Sequence, residues 1–302
     1  MMTALISLFR QCFPFAHREN AELERILSDR RVHRLYEKEG DRLIAAALIL
    51  EDTLLLLAVL PTYRRRGIGS RLLKAAEAYV RSQGFAEIAV GSGKAYLLPG
   101  VPSQMPIFAK ASMPPCAFDG IDPDARSFFE KRGYRHAWAD ADCFDMTLTF
   151  AERSTVTEES VNGANGIEYR FAKAEELTAV TAAMEEAHRS FARYYAEPSR
   201  YTDRHERVLI ALDGEMPIGA LIVKLGKDAE NAVSLAAVAV LPAYRGRGIA
   251  KGLVSFATAY GQRMGMTKGF VGYTYSGLDR LYGSSGYTVA VYYMMAKKHF
   301  GE

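Results

Sequence analysis

One stretch of the chain reads Ala58-Val59-Leu60-Pro61-Thr62-Tyr63-Arg64-Arg65-Arg66-Gly67-Ile68. It recurs 181 residues later as Ala239-Val240-Leu241-Pro242-Ala243-Tyr244-Arg245-Gly246-Arg247-Gly248-Ile249, and nine of the eleven positions are identical. The same spacing continues downstream, where it pairs Tyr79 with Tyr260. Chance does not produce a repeat of this length, so the sequence predicts two copies of one domain.

The two copies differ in length, and the difference locates an insertion. Gly133-Tyr134 of the first copy resembles Gly286-Tyr287 of the second at a spacing of 153 residues rather than 181. The first copy therefore carries 28 extra residues (181 minus 153). Their many prolines indicate an irregular inserted loop at about 92–122. The predicted organisation is a first domain over 1–150, a polar linker over 151–166 and a second domain over 167–302.

Composition and charge exclude several classes of protein. The 302-residue chain is 49% hydrophobic and 24% charged, which is typical of a globular protein. Its net charge of +3 is too small to favour a nucleic acid or a membrane surface as partner. We see no apolar run long enough to span a bilayer and no secretory leader, so the expected location is cytoplasmic. Its three cysteines, Cys12, Cys116 and Cys143, are far apart, so neither a disulfide framework nor a metal site is expected.

Hydrophobic periodicity predicts the same order of elements in both copies. In the second copy the predicted elements are a strand at 167–173, a helix at 174–188, a hairpin of strands at 208–212 and 217–224, a strand buried on both faces at 233–241, a helix of about five turns ending near Gly265, a strand at 270–274, a short helix at 278–284 and a strand-rich end at 286–298. The predicted fold class is α/β (α+β), with two tandem domains. Each contains a mixed, mostly antiparallel sheet flanked by helices.

The repeated stretch places an arginine- and glycine-rich turn between a buried strand and a long helix. Glycines let the backbone approach a ligand closely, and the first N–H groups of a helix have no partners within the helix. Together with the helix dipole and the arginines, they form an anion site suited to a pyrophosphate. The candidate residues are Arg64, Arg65, Arg66, Gly67, Gly69 and Ser70 in the first copy, and Arg245, Gly246, Arg247, Gly248 and Ala250 in the second.

The motif V-x-P-x-Y-R-G-R-G-I-A, followed by a helix and about thirty residues later by L-Y-x-x-x-G-Y, resembles the GCN5-related N-acetyltransferases. The resemblance covers nearly the whole chain, twice. It implies a sheet splayed between its fourth and fifth strands, with acetyl-CoA held in the splay. It also implies that the backbone of Val238 and Val240, and of Val59 in the first copy, pairs with the pantetheine arm. The amides from Gly246 through Ile249 to Ala250 would then hold the pyrophosphate.

The same resemblance suggests which copy is catalytic. In the family, a tyrosine in the short helix before the last strands usually protonates the departing thiolate. Tyr282 occupies this position in the second copy, whereas the first copy has Phe129, which cannot donate a proton. The second copy departs from the family pattern nearby, with Tyr275 and Leu278 in place of the usual Asn and Ala. We expect Tyr282 to be the general acid and the first domain to be degenerate.

The sequence leaves the general base and the acceptor open. Neither central strand carries a carboxylate. The candidates on the acceptor side, which we expect to be solvated helix or loop residues, are Glu185, His188, Tyr195, Asp203 and His205. The expected substrate is a primary amine of a small molecule or a peptide, and a homodimer is left open. The alternative function is a non-catalytic acyl-CoA-binding regulatory or scaffold protein.

Overall fold

In the computed structural model, the described residues are 1–16, 18–91, 97–108, 116, 118, 120–150, 157–162 and 166–301. The chain forms two compact units. The first comprises Met1–Phe144 together with Val289–Glu302, and the second comprises Asp145–Thr288. Much of the predicted linker, 151–156 and 163–165, lies outside the described residues. The division of the sequence at 1–150, 151–166 and 167–302 stays a prediction.

The first unit begins with two helices that precede its sheet. Its helices and strands are α1 (Met2–Cys12), α2 (Asn20–Ser28), β1 (His33–Glu39), β2 (Arg42–Leu50), β3 (Thr53–Val59), α3 (Ile68–Ser82), β4 (Glu87–Val90), β5 (Val101–Ser103), α4 (Ala125–Glu130) and β6 (Arg135–His136). A further strand, β7 (Cys143–Thr149), crosses the boundary between the units.

The second unit follows the element order predicted for a complete copy. Its helices and strands are α5 (Glu158–Val161), β8 (Glu168–Phe171), α6 (Leu177–Ala187), α7 (Ala192–Tyr195), β9 (Glu206–Asp213), β10 (Met216–Leu225), β11 (Ala232–Val240), α8 (Ile249–Arg263), β12 (Lys268–Tyr275) and α9 (Asp279–Gly283). The chain ends with β13 (Thr288–Met294) and β14 (Ala296–His299).

The sheet of the first unit is completed by the last strand of the chain. Its strand order is β1-β2-β3-β4-β14-β6. Ala296 pairs with Val90 of β4 on one side and with His136 of β6 on the other, both antiparallel. The sequence repeat did not predict this arrangement, because strand order along the chain does not specify which sheet a strand joins.

Each sheet opens between its two parallel strands. In the first unit, β3 pairs with β4 only at Thr53 and Leu54. In the second unit, where the order is β8-β9-β10-β11-β12, β11 pairs with β12 only from Ala232 to Ser234. Beyond these pairs the strands separate, so each unit contains a splay beside the carboxyl half of its central strand. The predicted fold, a mixed and splayed sheet flanked by helices, is confirmed.

The described residues refine two of the predicted elements. The strand predicted at 233–241 is buried at both ends, but Ala236, Ala237 and Val238 are half-exposed at the splay. The helix that follows has 15 residues, about four turns rather than five, and Gly265 adopts a φ of +82° just after it. The predicted insert contains β5 and ends shortly before α4. Its residues 92–96, 109–115, 117 and 119 lie outside the described residues.

Candidate active site

The end of each central strand is held in the same way in both units. The N–H of Leu60 donates to the carbonyl oxygen of Ile44 on β2 at 3.0 Å, so the polar backbone groups of the preceding residue, Val59, face the splay. In the second unit Leu241 donates to Ile218 at 2.9 Å, and Val240 is therefore placed likewise. The backbone of Val59 and of Val240 is thus at the opening of the sheet, where each carbonyl oxygen accepts a hydrogen bond from the first arginine of the motif.

A tight turn then leads into the long helix of each unit. Gly67 and Gly248 are the N-cap residues of α3 and α8, with φ values of +78° and +79°. Neither helix has a side-chain cap, so its first N–H groups donate no hydrogen bond to a side chain of the cap residue. A Cβ added to Gly246 or Gly248 would meet no atom within 4 Å. The turn of the second unit therefore presents open backbone, which fits a pyrophosphate.

The turn of the first unit differs at one position. Arg65 has a φ of +63°, although it occupies the place that Gly246 holds in the second unit with a φ of +77°. A residue with a Cβ resists this left-handed conformation. Arg66 lies over the ring of Tyr63, with its guanidinium carbon 5.0 Å from the ring centroid.

The first unit contains a cavity of about 340 Å³ at the end of β3. The sequence predicted seven cofactor-binding residues in the first unit, and all of them except Arg66 line the cavity: Val59, Arg64, Arg65, Gly67, Gly69 and Ser70. Its other walls include Cys12, Phe13 and Phe15 from the end of α1 and the loop after it, and Val101 and Pro102 from β5. The predicted insert therefore contributes a wall to this cleft.

Two carboxylates that sequence reasoning did not assign to the site pair with its arginines. Asp122 lies 3.1 Å from Nη1 of Arg64, and Asp124 contacts Nη2 of Arg65. Both precede α4 and have no acidic counterpart in the second copy at the spacing of 153 residues, where Tyr275 and Gly277 stand. That difference between the copies was the available signal. The carboxylates reduce the positive charge that the turn of the first unit offers to an anion.

Arg132, which follows α4, contacts the start of α3. Arg132 donates from Nη2 to the hydroxyl oxygen of Ser70 at 2.7 Å and lies 3.8 Å above the ring of Phe128. The same ring is 3.6 Å from a Cβ added to Gly69. Sequence reasoning missed Arg132 because it is distant in sequence from the motif and lies outside it.

Tyr282 of α9 lies in the interior of the second unit. Only 3% of the residue is exposed, and its ring centroid is 6.1 Å from that of Tyr287. Burial raises the pKa of the Tyr282 hydroxyl, and the nearby Tyr287 and Tyr275 add to the rise. The hydroxyl therefore stays protonated at neutral pH. In the first unit, Phe129 is likewise buried and packs edge-on against Phe128 and Tyr134.

One of the candidate bases departs from the expectation that all are solvated. Tyr195 is completely buried, and its hydroxyl donates to the carbonyl oxygen of Ala237 and lies 3.1 Å from that of Ala220. Asp203 is half-buried and forms an ion pair with Lys227 at 3.1 Å; the hydrogen bond from the backbone N–H of His205, and then Lys227, lower its pKa. The other three candidates, Glu185, His188 and His205, are exposed as expected.

The described part of the chain also limits two other kinds of site. Among the residues that the structure describes, no group of three or more His, Cys, Asp or Glu side chains could hold a metal ion. Within the same residues, we find no helix with the length and apolar character needed to cross a membrane.

Comparison with known proteins gives a family and a fold. A family model described as the acetyltransferase (GNAT) family matches residues 2–95 and 173–287. No curated protein matches the chain.

The solved structures that resemble the whole chain include three GCN5-related or GNAT proteins. The GCN5-related glucosamine N-acetyltransferase region of a fungal multi-domain GH3 beta-N-acetylglucosaminidase is 20% identical, with a TM-score of 0.70 over 99% of this chain and 37% of that one. The chain thus spans little more than a third of that protein. A GCN5-related N-acetyltransferase from Sphaerobacter thermophilus is 18% identical, with a TM-score of 0.67 and coverage of 98% and 91%. A tandem GNAT protein from the clavulanic acid biosynthesis pathway is 15% identical, with a TM-score of 0.69 and coverage of 100% and 95%.

These likenesses agree with the geometry of the two units. Each structural neighbour shares the fold of the chain, and one of them is itself a tandem protein. The family model matches more than half of the chain, in one region of each sequence copy, and both regions contain the turn at the end of the central strand. The chain therefore belongs to the acetyltransferase (GNAT) family, as a member with two tandem domains.

Proposed function

We propose that the protein is an acetyl-CoA-dependent N-acetyltransferase whose second unit moves an acetyl group to a primary amine of a small molecule or peptide. The observation that carries this proposal is the difference between Tyr282 and Phe129. The second unit buries a hydroxyl at the position where the first buries a plain phenyl ring.

The residues of the second unit fit the cofactor from strand to helix. Val238 and Val240 would offer backbone groups to the pantetheine arm at the splay. The pyrophosphate would be held by the open turn and by the first N–H groups of α8, from Arg245, Gly246, Arg247, Gly248, Ile249 and Ala250. Bound acetyl-CoA supplies the acetyl group as a thioester, with a thiol as leaving group.

The side chains of the second unit then have two tasks in a direct attack. The acceptor amine must be neutral, and with no carboxylate on β11 its proton leaves to water or to a surface group. Tyr282 donates its Oη proton to the departing sulfur. Because burial raises the pKa of Tyr282, the hydroxyl remains a proton donor well above neutral pH. We expect kcat not to decline between pH 8 and 10 through loss of this donor.

The first unit would hold a cofactor without catalysing transfer. Val59, Arg64, Arg65, Arg66, Gly67, Gly69 and Ser70 form its predicted binding set, and six of them line the cavity. Phe129 offers no proton, so this unit lacks the donor that the second unit has.

Amines of several classes remain as acceptors. The fungal neighbour is described as a glucosamine N-acetyltransferase region, and an amino sugar is therefore the first acceptor to test. Acceptor pockets are built by variable loops, so a polyamine and a lysine peptide should be tested beside it.

The decisive experiment compares Tyr282→Phe with Tyr287→Phe. Tyr287 is a buried neighbour whose hydroxyl oxygen lies 3.1 Å from Oγ1 of Thr258, so its variant removes a similar group. Release of free thiol from acetyl-CoA is measured with glucosamine, spermidine and a lysine peptide. Tyr282→Phe should lower kcat about 10²-fold, as loss of a general acid does. Equal rates in the two variants would show that Tyr282 is not the donor.

A second candidate function is non-catalytic acyl-CoA binding in a regulatory or scaffold protein. Phe129 favours this function for the first unit, because its side chain cannot donate a proton. Calorimetric binding of CoA without thiol release from acetyl-CoA, for every amine tested, would support it for the whole chain.

A further inference from the structure

The central strand of the second unit contains a bulge beside the splay. Ala220 pairs with Ala239, whereas Ile222 pairs with Ala236, so Ala237 and Val238 together lie opposite one residue of β10. Ala237 has a φ of +51°, which is in the left-handed region. The strand is no longer paired with β12 at this point, because that pairing ends at Ser234.

The first unit lacks the left-handed conformation at the matching place, although its pairing of β2 with β3 also shifts register there, between Leu54 and Leu56. The repeat spacing of 181 residues aligns Ala237 with Leu56. All of β3 is described, and none of its residues has a positive φ. The left-handed bulge thus belongs to the unit that also has the buried Tyr282.

The hydroxyl of Tyr195 is hydrogen-bonded to the backbone of the bulge. It donates to the carbonyl oxygen of Ala237 and also lies 3.1 Å from the carbonyl oxygen of Ala220 on β10. Tyr195 is fully buried, and the hydroxyl of Tyr201 donates to its carbonyl oxygen at 2.9 Å. Both ends of Tyr195 are therefore fixed within the unit.

Burial is the main cause that raises the pKa of Tyr195, and the Tyr282 hydroxyl adds to the rise. The Tyr195 hydroxyl therefore stays protonated and remains a hydrogen-bond donor to the backbone of β11.

The strain at Ala237 and its hydrogen bond to Tyr195 have free energies of similar size. The left-handed conformation is unfavourable for alanine, and the buried hydrogen bond to its carbonyl oxygen offsets a cost of that order. Without the hydroxyl, the strain is no longer offset, and we expect β11 to relax by rotation of the peptide group between Ala237 and Val238.

We propose that Tyr195 is a positioning residue for the transfer reaction, and that its Oη–H keeps the backbone at 237–238 in the bulged conformation that faces the splay. The inference rests on the proposed function of the second unit. It assigns to Tyr195 a role distinct from that of a base, because its proton stays on a hydroxyl bonded to two carbonyl oxygens.

The test uses the full chain and the variant Tyr195→Phe, with Tyr134→Phe as matched control. Tyr134 is also fully buried, and its hydroxyl donates to Glu77 at 3.0 Å in the first unit. Amide hydrogen exchange of the segment 233–241 is measured without cofactor. Tyr195→Phe should accelerate exchange there at least about tenfold, whereas Tyr134→Phe should leave it unchanged.

Kinetics with acetyl-CoA and the best amine of the panel give the second readout. Displacement of a reaction centre by about 1 Å can lower the rate about 10²-fold. We expect Tyr195→Phe to lower kcat by ten- to a hundredfold. The KM for acetyl-CoA should stay within about threefold, because the turn at Gly248 is untouched.

The double variant Tyr195→Phe/Ala237→Gly separates positioning from packing. Glycine adopts a positive φ without the cost that alanine bears, so it should restore part of the lost kcat. Rescue of at least about threefold would support a role through the bulge. The double variant also serves where Tyr195→Phe alone folds poorly, since it relieves the same strain.

Three results would overturn the proposal. They are unchanged exchange at 233–241 in Tyr195→Phe, an equal loss of kcat in Tyr195→Phe and Tyr134→Phe, and a rise in KM without a fall in kcat. A wild-type chain that releases no thiol from acetyl-CoA would instead contradict the proposed function. The exchange measurement would still test whether Tyr195 stabilises the bulged conformation.

Discussion

The Nε of Arg64 donates to the carbonyl oxygen of Val59 at 3.1 Å. Arg245 makes the same bond to Val240 at 3.1 Å in the second unit. Each guanidinium has a further protein partner, Asp122 in the first unit and the carbonyl oxygen of Ala187 in the second. The first arginine of the motif therefore ties the end of the central strand to the turn. Both residues were predicted to bind the cofactor, and this prediction has to allow for the bonds that they already make.

Gly248 should be needed for CoA binding beyond its effect on folding. Gly248→Ala places a Cβ at a φ of +79°, at a cost of about 1–2 kcal/mol. Gly226→Ala is the matched control, because Gly226 has a φ of +62° and equally open surroundings in a turn away from the helix. Both variants should lose similar thermal stability. Only Gly248→Ala should weaken CoA binding in calorimetry. An equal loss of affinity in both variants would contradict a pyrophosphate site at the turn before α8.

Arg65 should be a destabilising residue in the first unit. Glycine at this position avoids a left-handed cost of about 1–2 kcal/mol but has greater freedom in the unfolded chain, worth about 0.5–1 kcal/mol. We expect Arg65→Gly to raise the free energy of unfolding of the first unit by about 0.5–1 kcal/mol. Arg65→Ala keeps the strain and removes the contact with Asp124, so it should give no gain in urea denaturation. A similar gain in both variants would show that the backbone is not strained.

Glu176 should make the stability of the second unit depend on pH. Its carboxylate accepts two hydrogen bonds from Arg170, at 2.6 and 2.8 Å, and these lower its pKa from 4.5 to about 2. A lowered pKa stabilises the fold above pH 4.5, and the contribution disappears as the pH falls from 4.5 toward 2. Glu176→Gln should therefore cost about 1–3 kcal/mol at pH 7 and almost nothing near pH 2.

Thermal melts at several pH values test this expectation, with the exposed neighbour Glu175 changed to Gln as control. A difference between wild type and Glu176→Gln that stays constant from pH 7 to pH 3 would rule out the ionised pair as its cause.

Cys12 should report on binding in the first unit. It lines the cavity, is 4% exposed, and burial raises its pKa to about 11 although Arg64 opposes the shift. At pH 8 only about one thiol in a thousand is then ionised, so iodoacetamide should label Cys12 more slowly than the half-buried Cys116. CoA should slow labelling of Cys12 further and leave Cys116 unaffected, as measured by peptide mass spectrometry. Unaltered labelling of Cys12 at saturating CoA would mean that this cleft stays empty.

Local signals in the sequence predicted a large part of the architecture. The repeat at Arg64 and Arg245, the glycines at the helix starts and the short helix with Tyr282 all depend on residues that are neighbours in the chain. Their geometry follows from backbone rules, since a left-handed glycine must precede the helix at both Gly67 and Gly248. The mixed sheet was correctly expected from the order of the elements, and the splay through the family resemblance.

What the sequence did not reveal depends on contacts between distant residues. Tyr195 lies in a helix of only four residues, too short for a periodic pattern to distinguish its buried side. The pairing of Asp124 with Arg65 joins residues 59 positions apart. No local rule indicates that β14 enters the sheet of the first unit, because pairing of strands is decided by tertiary packing.

The insertion of β14 between β4 and β6 has a consequence for biosynthesis. While the ribosome is still adding residues beyond Thr288, the N-terminal half already holds two strand edges that lack their neighbour. Unpaired edges invite aggregation, so the newborn polypeptide has reason to engage chaperones until β14 has been translated. A premature stop codon before Ala296 would accordingly destabilise the unit that was translated first.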